Sequence, residues 1–156
     1  MRVHTLEREL RVTRPIAEVF AFFERPENLG RLTPPWVRMQ FLTPSPIPMH
    51  AGSAIDYVVR VHRVPIHWTT LIAEYNPPHR FVDIQRRGPY ALWHHTHTFE
   101  AAGDETIVRD AVRYAMPFGP LGAIVHALMV KRDLEAIFAY RTEAIRGIFT
   151  ETPRPG

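Results

Sequence analysis

The chain changes its hydrophobic period three times. From Val3 to Val12 apolar and polar residues alternate, the pattern of a strand with one buried face. Thr13-Arg14-Pro15 ends it: Thr13 is placed to cap, and Pro15 to open, a helix whose apolar positions Ile16, Val19, Phe20 and Phe23 recur at helical spacing. A second short helix is predicted from Pro26 through Asn28 and Leu29. It must end before Pro34-Pro35, because a residue preceding proline avoids helical angles. From Trp36 onward alternation returns, and breakers recur at Pro44 to Pro48, Val64-Pro65, Asn76-Pro77-Pro78, Gly88-Pro89, Gly103-Asp104 and Pro117 to Pro120. This predicts about six antiparallel strands joined by hairpins. Beyond Gly119-Pro120 one stretch runs to Phe149, with Ile124, Leu128, Leu134, Phe138, Ile145 and Phe149 on one helical stripe. The Pro-rich tail, 151–156, is expected to fray.

These elements add up to an α+β fold. A curved antiparallel sheet of about seven strands wraps a long C-terminal helix, with two short helices after the first strand closing one end. A sheet curved around a helix leaves space between the two, which is the natural ligand site. No helix with an obviously apolar outer face is expected.

The turn at Gly103-Asp104 sets the register of the last hairpin. With those two residues as the loop, Ala102 faces Glu105, Phe99 faces Val108, His97 faces Asp110, His95 faces Val112 and Trp93 faces Tyr114. The last four pairs share one face, since strand side chains alternate. The other face carries His94, Thr96, Thr98, Arg109 and Arg113, which suits water, so the first face points inward. By the same logic the inward set on the preceding strands is Ile55, Tyr57, Val59 and Val61, then Trp68, Thr70 and Ile72, then Phe81, Asp83 and Gln85. A turn at Gly88-Pro89-Tyr90 would place Gln85 opposite Trp93 and Asp83 opposite His95.

Composition narrows the picture further. A chain of 156 residues, 46% hydrophobic and 22% charged, has the size of one globular domain, 1–156, with a real core. Without cysteine there is no disulfide, no thiolate metal site and no thiol nucleophile. The N-terminal residues lack the apolar core of a signal peptide, so a cytoplasmic protein is expected. The longest apolar run, Leu121 to Val130, contains His126 and falls well short of the roughly twenty residues that span a membrane. A net charge of +3, with cations spread from Arg2 to Arg154 among acids, lacks the dense stripe that binding nucleic acid requires.

An inward face that only packs would not need Asp83, Gln85, His95, His97 and Asp110, because each buried polar group costs stability unless partnered. Two readings stand side by side. In one, His–Asp pairs merely fix the sheet register; in the other, they form the polar end of an apolar cavity, orienting a ligand hydroxyl or carbonyl while Tyr57, Trp68, Phe81 and Trp93 hold its body. A histidine beside a carboxylate is also the arrangement of a general base. His-x-His on a strand aims two imidazoles the same way, as a metal site would, but each already has an Asp neighbour, so no metal is expected. His67 faces away, and His94 and His126 are expected at exposed or edge positions. Arg141 is placed to reach the cavity and pair with a ligand carboxylate, or else with an acid of the protein. No nucleophile elbow, phosphate loop or dinucleotide fingerprint is present, so no cofactor is expected.

Several segments resemble a known group. The run Phe81-x-Asp83-x-Gln85-x-x-Gly88-Pro89-Tyr90-x-x-Trp93-x-His95-x-His97-x-Phe99, followed by Asp110-x-x-x-Tyr114-x-x-Pro117-x-Gly119-x-Leu121-Gly122, is similar to the ligand-binding SRPBCC group. That group belongs to the START/Bet v 1-like superfamily, with its helix-grip fold. Pro26-Glu27-Asn28-Leu29, Leu32-Thr33-Pro34-Pro35-Trp36 and Ile137-Phe138-x-Tyr140-Arg141 extend the resemblance over nearly the whole chain. It implies a binder of a lipid, polyketide, quinone or similar small molecule. The expected ligand-binding residues are Tyr57, Trp68, Thr70, Phe81, Asp83, Gln85, Trp93, His95, His97, Asp110, Tyr114, Phe138 and Arg141. The alternative is a cyclase/dehydrase- or hydrolase-like enzyme using His95, His97, Asp83 and Asp110. The expected partner is a small hydrophobic or amphipathic molecule, with a homodimer left open.

Overall fold

The computed structural model describes residues 1–150; the tail expected to fray lies outside the described residues. Seven antiparallel strands form one sheet: β1 (His4–Val12), β2 (Gln40–Phe41), β3 (Ala54–Val61), β4 (Val64–Asn76), β5 (Arg80–Arg87), β6 (Leu92–Ala102) and β7 (Glu105–Ala115). Their order is β1-β7-β6-β5-β4-β3-β2, so successive strands from β2 to β7 are neighbours and β1 closes against β7. Between β1 and β2 lie α1 (Ile16–Phe23) and two 3-10 segments, Pro26–Leu32 and Pro35–Val37. The chain continues after β7 through α2 (Gly119–Val125), a π-helical turn (His126–Val130) and α3 (Lys131–Thr150).

Gly103 supplies the positive φ of 65° that the tight β6–β7 turn requires, and the register follows from it. Trp93 pairs with Tyr114, His95 with Val112, His97 with Asp110 and Phe99 with Val108. On the other side of β6, Asp83 pairs with His95, and Phe81 with His97. The first five of these pairs are the ones expected from the sequence, and the sixth follows from the same register.

α3 lies across the concave face. Leu134, Phe138, Ile145 and Phe149 are buried, and Phe149 and Ile145 meet Phe20 and Phe23 of α1 and Phe99 and Val108 of the sheet in one apolar cluster. Each such side chain contributes about 1.5–3 kcal/mol through the surface it removes from water. Among the described residues no helix is long and apolar enough to cross a membrane.

Three local expectations differ from what forms. Thr13 does not cap α1, because Pro15 itself occupies the N-cap position and no side chain bonds the free N–H groups. Ile124 and Leu128 do not continue the buried stripe of α3; both face outward. The cause is the π turn, in which the Lys131 N–H reaches back to the His126 carbonyl. One extra residue in the turn rotates the preceding helix by about 100° relative to α3. Gly122 and His126 therefore face inward, and His126 is buried rather than at an edge. The helix thus does present an apolar outer face.

Gly122 is held at a close approach. A Cβ there would sit 1.9 Å from the Pro117 carbonyl oxygen and 3.2 Å from the Met116 Cβ. Gly122→Ala is expected to force α2 away from the turn that leads into it, at a cost of about 1–3 kcal/mol. A lowered thermal midpoint with faster proteolytic cutting between residues 116 and 130 is the expected reading; unchanged behaviour in both would show that the turn yields freely.

Candidate functional site

A cavity of about 230 Å³ separates the sheet from α3. Strand alternation delivers one wall: Tyr57 from β3, Trp68 and Thr70 from β4, Phe81 and Asp83 from β5, and Trp93, His95 and His97 from β6. Leu134, Phe138 and Arg141 come from α3. The aromatic wall is ordered: Tyr57 stacks on Trp68 at 6.2 Å between centroids, and Trp68 meets Trp93 edge-on at 5.3 Å. The Tyr57 hydroxyl and Thr70 Oγ1 bond each other at 2.9 Å, and burial pushes the phenol up.

One end of this apolar space is ionic. His97 Nε2 donates to Asp83 Oδ2 at 2.5 Å, and His95 Nε2 donates to Asp110 Oδ1 at 2.8 Å. Each imidazole thus bonds the carboxylate diagonal to it, although His97 and Asp110 face each other across the ladder. His97 Nδ1 is 3.5 Å from Asp110 Oδ1 and accepts instead from Arg141, whose NH2 lies 3.4 Å away. Arg141 also clamps Asp110, with Nε donating to Oδ2 at 3.0 Å and NH2 to Oδ1 at 3.1 Å. The two imidazoles stack at 3.7 Å, and Phe81 covers the other side of His97 at 4.0 Å.

The surroundings fix the charges. Burial raises the Asp110 carboxyl, but Arg141 and the bond from His95 outweigh it and hold the group well below the ordinary carboxylate range. Asp83 is likewise raised by burial and brought down further by His95, His97 and Arg141. His97 is pushed down to about 4, by burial first and then by His95, against the pull of Asp83. A neutral His97 with its proton on Nε2 is also what the Arg141 contact requires, since Nδ1 must keep a lone pair to accept. Arg141 supplies a fixed positive charge beside the two carboxylates.

The two carboxylates differ in what remains free. Both oxygens of Asp110 are engaged, whereas among the described residues Asp83 Oδ1 has no hydrogen-bond partner. Asp83 lines the cavity; Asp110 stands behind its wall. The Trp68 indole Nε1–H is a buried donor without an acceptor among the described residues.

Asp83, His95 and His97 also bring three donor atoms within 4.8 Å of one another, as a cation site would. The Nε2 of each ring is already committed to a carboxylate, and the Arg141 guanidinium lies against the ring of His97. A cation entering here would break those bonds and meet a fixed positive charge, so the donor set does not fit one.

The family described as polyketide cyclase / dehydrase and lipid transport matches residues 3–145. The chain belongs to this family. Membership agrees with solved structures of the same fold. A START superfamily protein from Mycobacterium smegmatis superposes with a TM-score of 0.71 at 11% identity, covering 95% of this chain and 98% of that one. The Zhui aromatase/cyclase from Streptomyces sp. R1128 gives 0.67 at 12%, covering 96% and 98%. Truncated norcoclaurine synthase from Thalictrum flavum gives 0.68 at 15%, covering 97% and 96%. At such identities the likeness speaks for the helix-grip fold alone. No curated protein matches the chain in sequence.

Within this member of the polyketide cyclase / dehydrase and lipid transport family, ten of the thirteen expected binding residues line the cavity. Three do not. Gln85 turns to the β5–β6 connection, donating to the Tyr90 carbonyl at 2.8 Å and accepting from its N–H at 3.0 Å. Tyr114 packs beside Trp93 and bonds His126 at 2.8 Å. Asp110 backs the cluster as described. Leu29, Leu32, Met39, Met49, Tyr90 and Ile137 also line the cavity, although none of them was among the expected binding residues. For Leu29 and Leu32 the signal was there, two leucines three apart between prolines.

Proposed function

We propose that the cavity binds a small, largely hydrophobic molecule of the lipid, polyketide or quinone kind. Its body lies against Tyr57, Trp68, Phe81, Trp93 and Phe138, and its polar end meets the ionic cluster. The observation that carries this reading is an apolar cavity ending on an ionised carboxylate with one unpartnered oxygen, Asp83 Oδ1. That oxygen accepts a ligand hydroxyl; the unpartnered Trp68 N–H suits a ligand carbonyl. His95, His97, Asp110 and Arg141 hold Asp83 in place and keep it charged.

Native mass spectrometry of freshly purified protein, followed by calorimetric titration of hydroxylated amphiphiles and polyketides, tests this. Asp83→Asn is expected to weaken binding by about 1–3 kcal/mol while the protein stays folded. Equal affinity in parent and variant would remove Asp83 from the site.

The second reading is a cyclase/dehydrase-like enzyme, favoured by the same cluster lying on the cavity wall. The bonds already made restrict it: His97 has both ring nitrogens occupied, which leaves Asp83 Oδ1 and His95 Nδ1 to take a proton from substrate. Mass analysis of incubated polyketides and esters separates the readings. Recovery unchanged supports the binder; a dehydrated, cyclised or cleaved product, reduced about a hundredfold or more in His95→Ala with binding retained, supports the enzyme.

A further inference from the structure

The rotation imposed by the π turn leaves a surface that neither the core nor the cavity uses. Phe118 is 80% exposed and Leu128 77%, with Leu121 and Ile124 each more than half exposed. They follow one another at spacings of three and four, on the side of the helix turned away from buried Gly122 and His126. Phe118 adopts φ 67°, a left-handed conformation that is unfavourable for a residue carrying a Cβ, and yet its ring gains no burial in return. Among the described residues nothing covers this ring, which leaves it open to a partner.

Charge indicates what that is. Residues 117–132 contain no carboxylate, and the ridge runs directly into exposed Lys131 and Arg132. Arg2 lines the same groove as Phe118, Pro120 and Lys131. Among the described residues none of these three cations is in an ion pair. The nearest acid along the helix, Asp133, is already held by His62 at 2.8 Å. A second copy docking by two-fold symmetry would bring the same unpaired cations together. A bilayer carrying anionic headgroups supplies both missing partners at once, hydrocarbon for the ridge and phosphate for its basic border.

We propose that this face docks onto an anionic lipid surface, with Phe118, Leu121, Ile124 and Leu128 entering the headgroup boundary and Arg2, Lys131 and Arg132 meeting phosphates. This does not depend on what the cavity binds. The test is co-sedimentation of the full chain with vesicles of phosphatidylcholine alone or mixed with phosphatidylglycerol. Binding is expected to the mixed vesicles, to weaken with added salt, and to be much lower on phosphatidylcholine alone. Phe118→Asn with Leu128→Gln is expected to reduce it about tenfold or more; asparagine tolerates the left-handed backbone, so the fold is kept. Lys131→Gln and Arg132→Gln should each lower it about fivefold. No partitioning into mixed vesicles, or equal partitioning of parent and variants, would overturn the proposal. So would a concentration-dependent dimer in sedimentation velocity that disappears in the Phe118→Asn/Leu128→Gln protein, since that assigns the face to a second copy.

Discussion

Arg141→Leu is expected to lower the free energy of unfolding by about 3–5 kcal/mol, the range for removing one partner of a buried ion pair. Arg141 is 5% exposed and makes two bonds to Asp110, whose carboxylate is equally enclosed. Without the guanidinium, Asp110 keeps only the bond from His95 and stays charged in a space that solvates it poorly, so the penalty falls on the residue left behind. Adding Asp110→Asn to Arg141→Leu should therefore recover a large part of the loss, because the stranded charge is gone. Urea unfolding of the parent, both single variants and the combined variant forms a complete cycle. If the costs simply add, the guanidinium is not there to neutralise that carboxylate.

Stability is expected to fall as pH drops from about 6.5 towards 4, by up to about 3 kcal/mol from His97 alone. In the unfolded chain this imidazole takes a proton near its ordinary value of 6.5, whereas in the fold it waits until about 4. Between those values the unfolded state binds more protons, so acid favours unfolding. His4 and His126, stacked at 3.7 Å and both depressed by burial and neighbouring cations, act in the same direction. Asp83 and Asp110 add a second stage: their stabilisation is present above the ordinary aspartate value of 3.8 and is lost below it. In His97→Gln the first stage should flatten to what His4 and His126 leave, while the second remains. A first stage of undiminished slope would mean that His97 is protonated in the fold.

The register of β5, β6 and β7 was legible because turn length and alternation together leave only one way to pair them. Once Gly103-Asp104 is the loop, every inward residue from Trp93 to Phe99 follows, and the short turn after Gly88 carries the logic across to Asp83. Backbone register does not decide which carboxylate each imidazole chooses. That depends on χ angles and on Arg141, whose long side chain reaches the cluster from a helix, 31 residues beyond Asp110. Spacing along a strand gives no sign of such a reach. The helical stripe failed at Ile124 and Leu128 for a related reason. A stripe drawn at constant period assumes that every turn holds the same number of residues, and no side chain between His126 and Val130 announces the extra one. Met39 and Met49 were missed because they sit in irregular segments, where neither period applies.

The right-angled contact of Trp68 with Trp93 gives the cavity an optical signature of its own. Their rings are 5.3 Å apart and perpendicular, close enough for excitation to pass between them, with Trp93 buried and Trp68 partly so. The third tryptophan, Trp36, is 60% exposed and should emit at longer wavelength. A molecule wedged beside the inner pair would alter its near-ultraviolet circular dichroism and quench its blue emission, leaving the redder light of Trp36 as an internal standard. Filling and emptying of the cavity can therefore be followed in the unlabelled chain as a colour ratio.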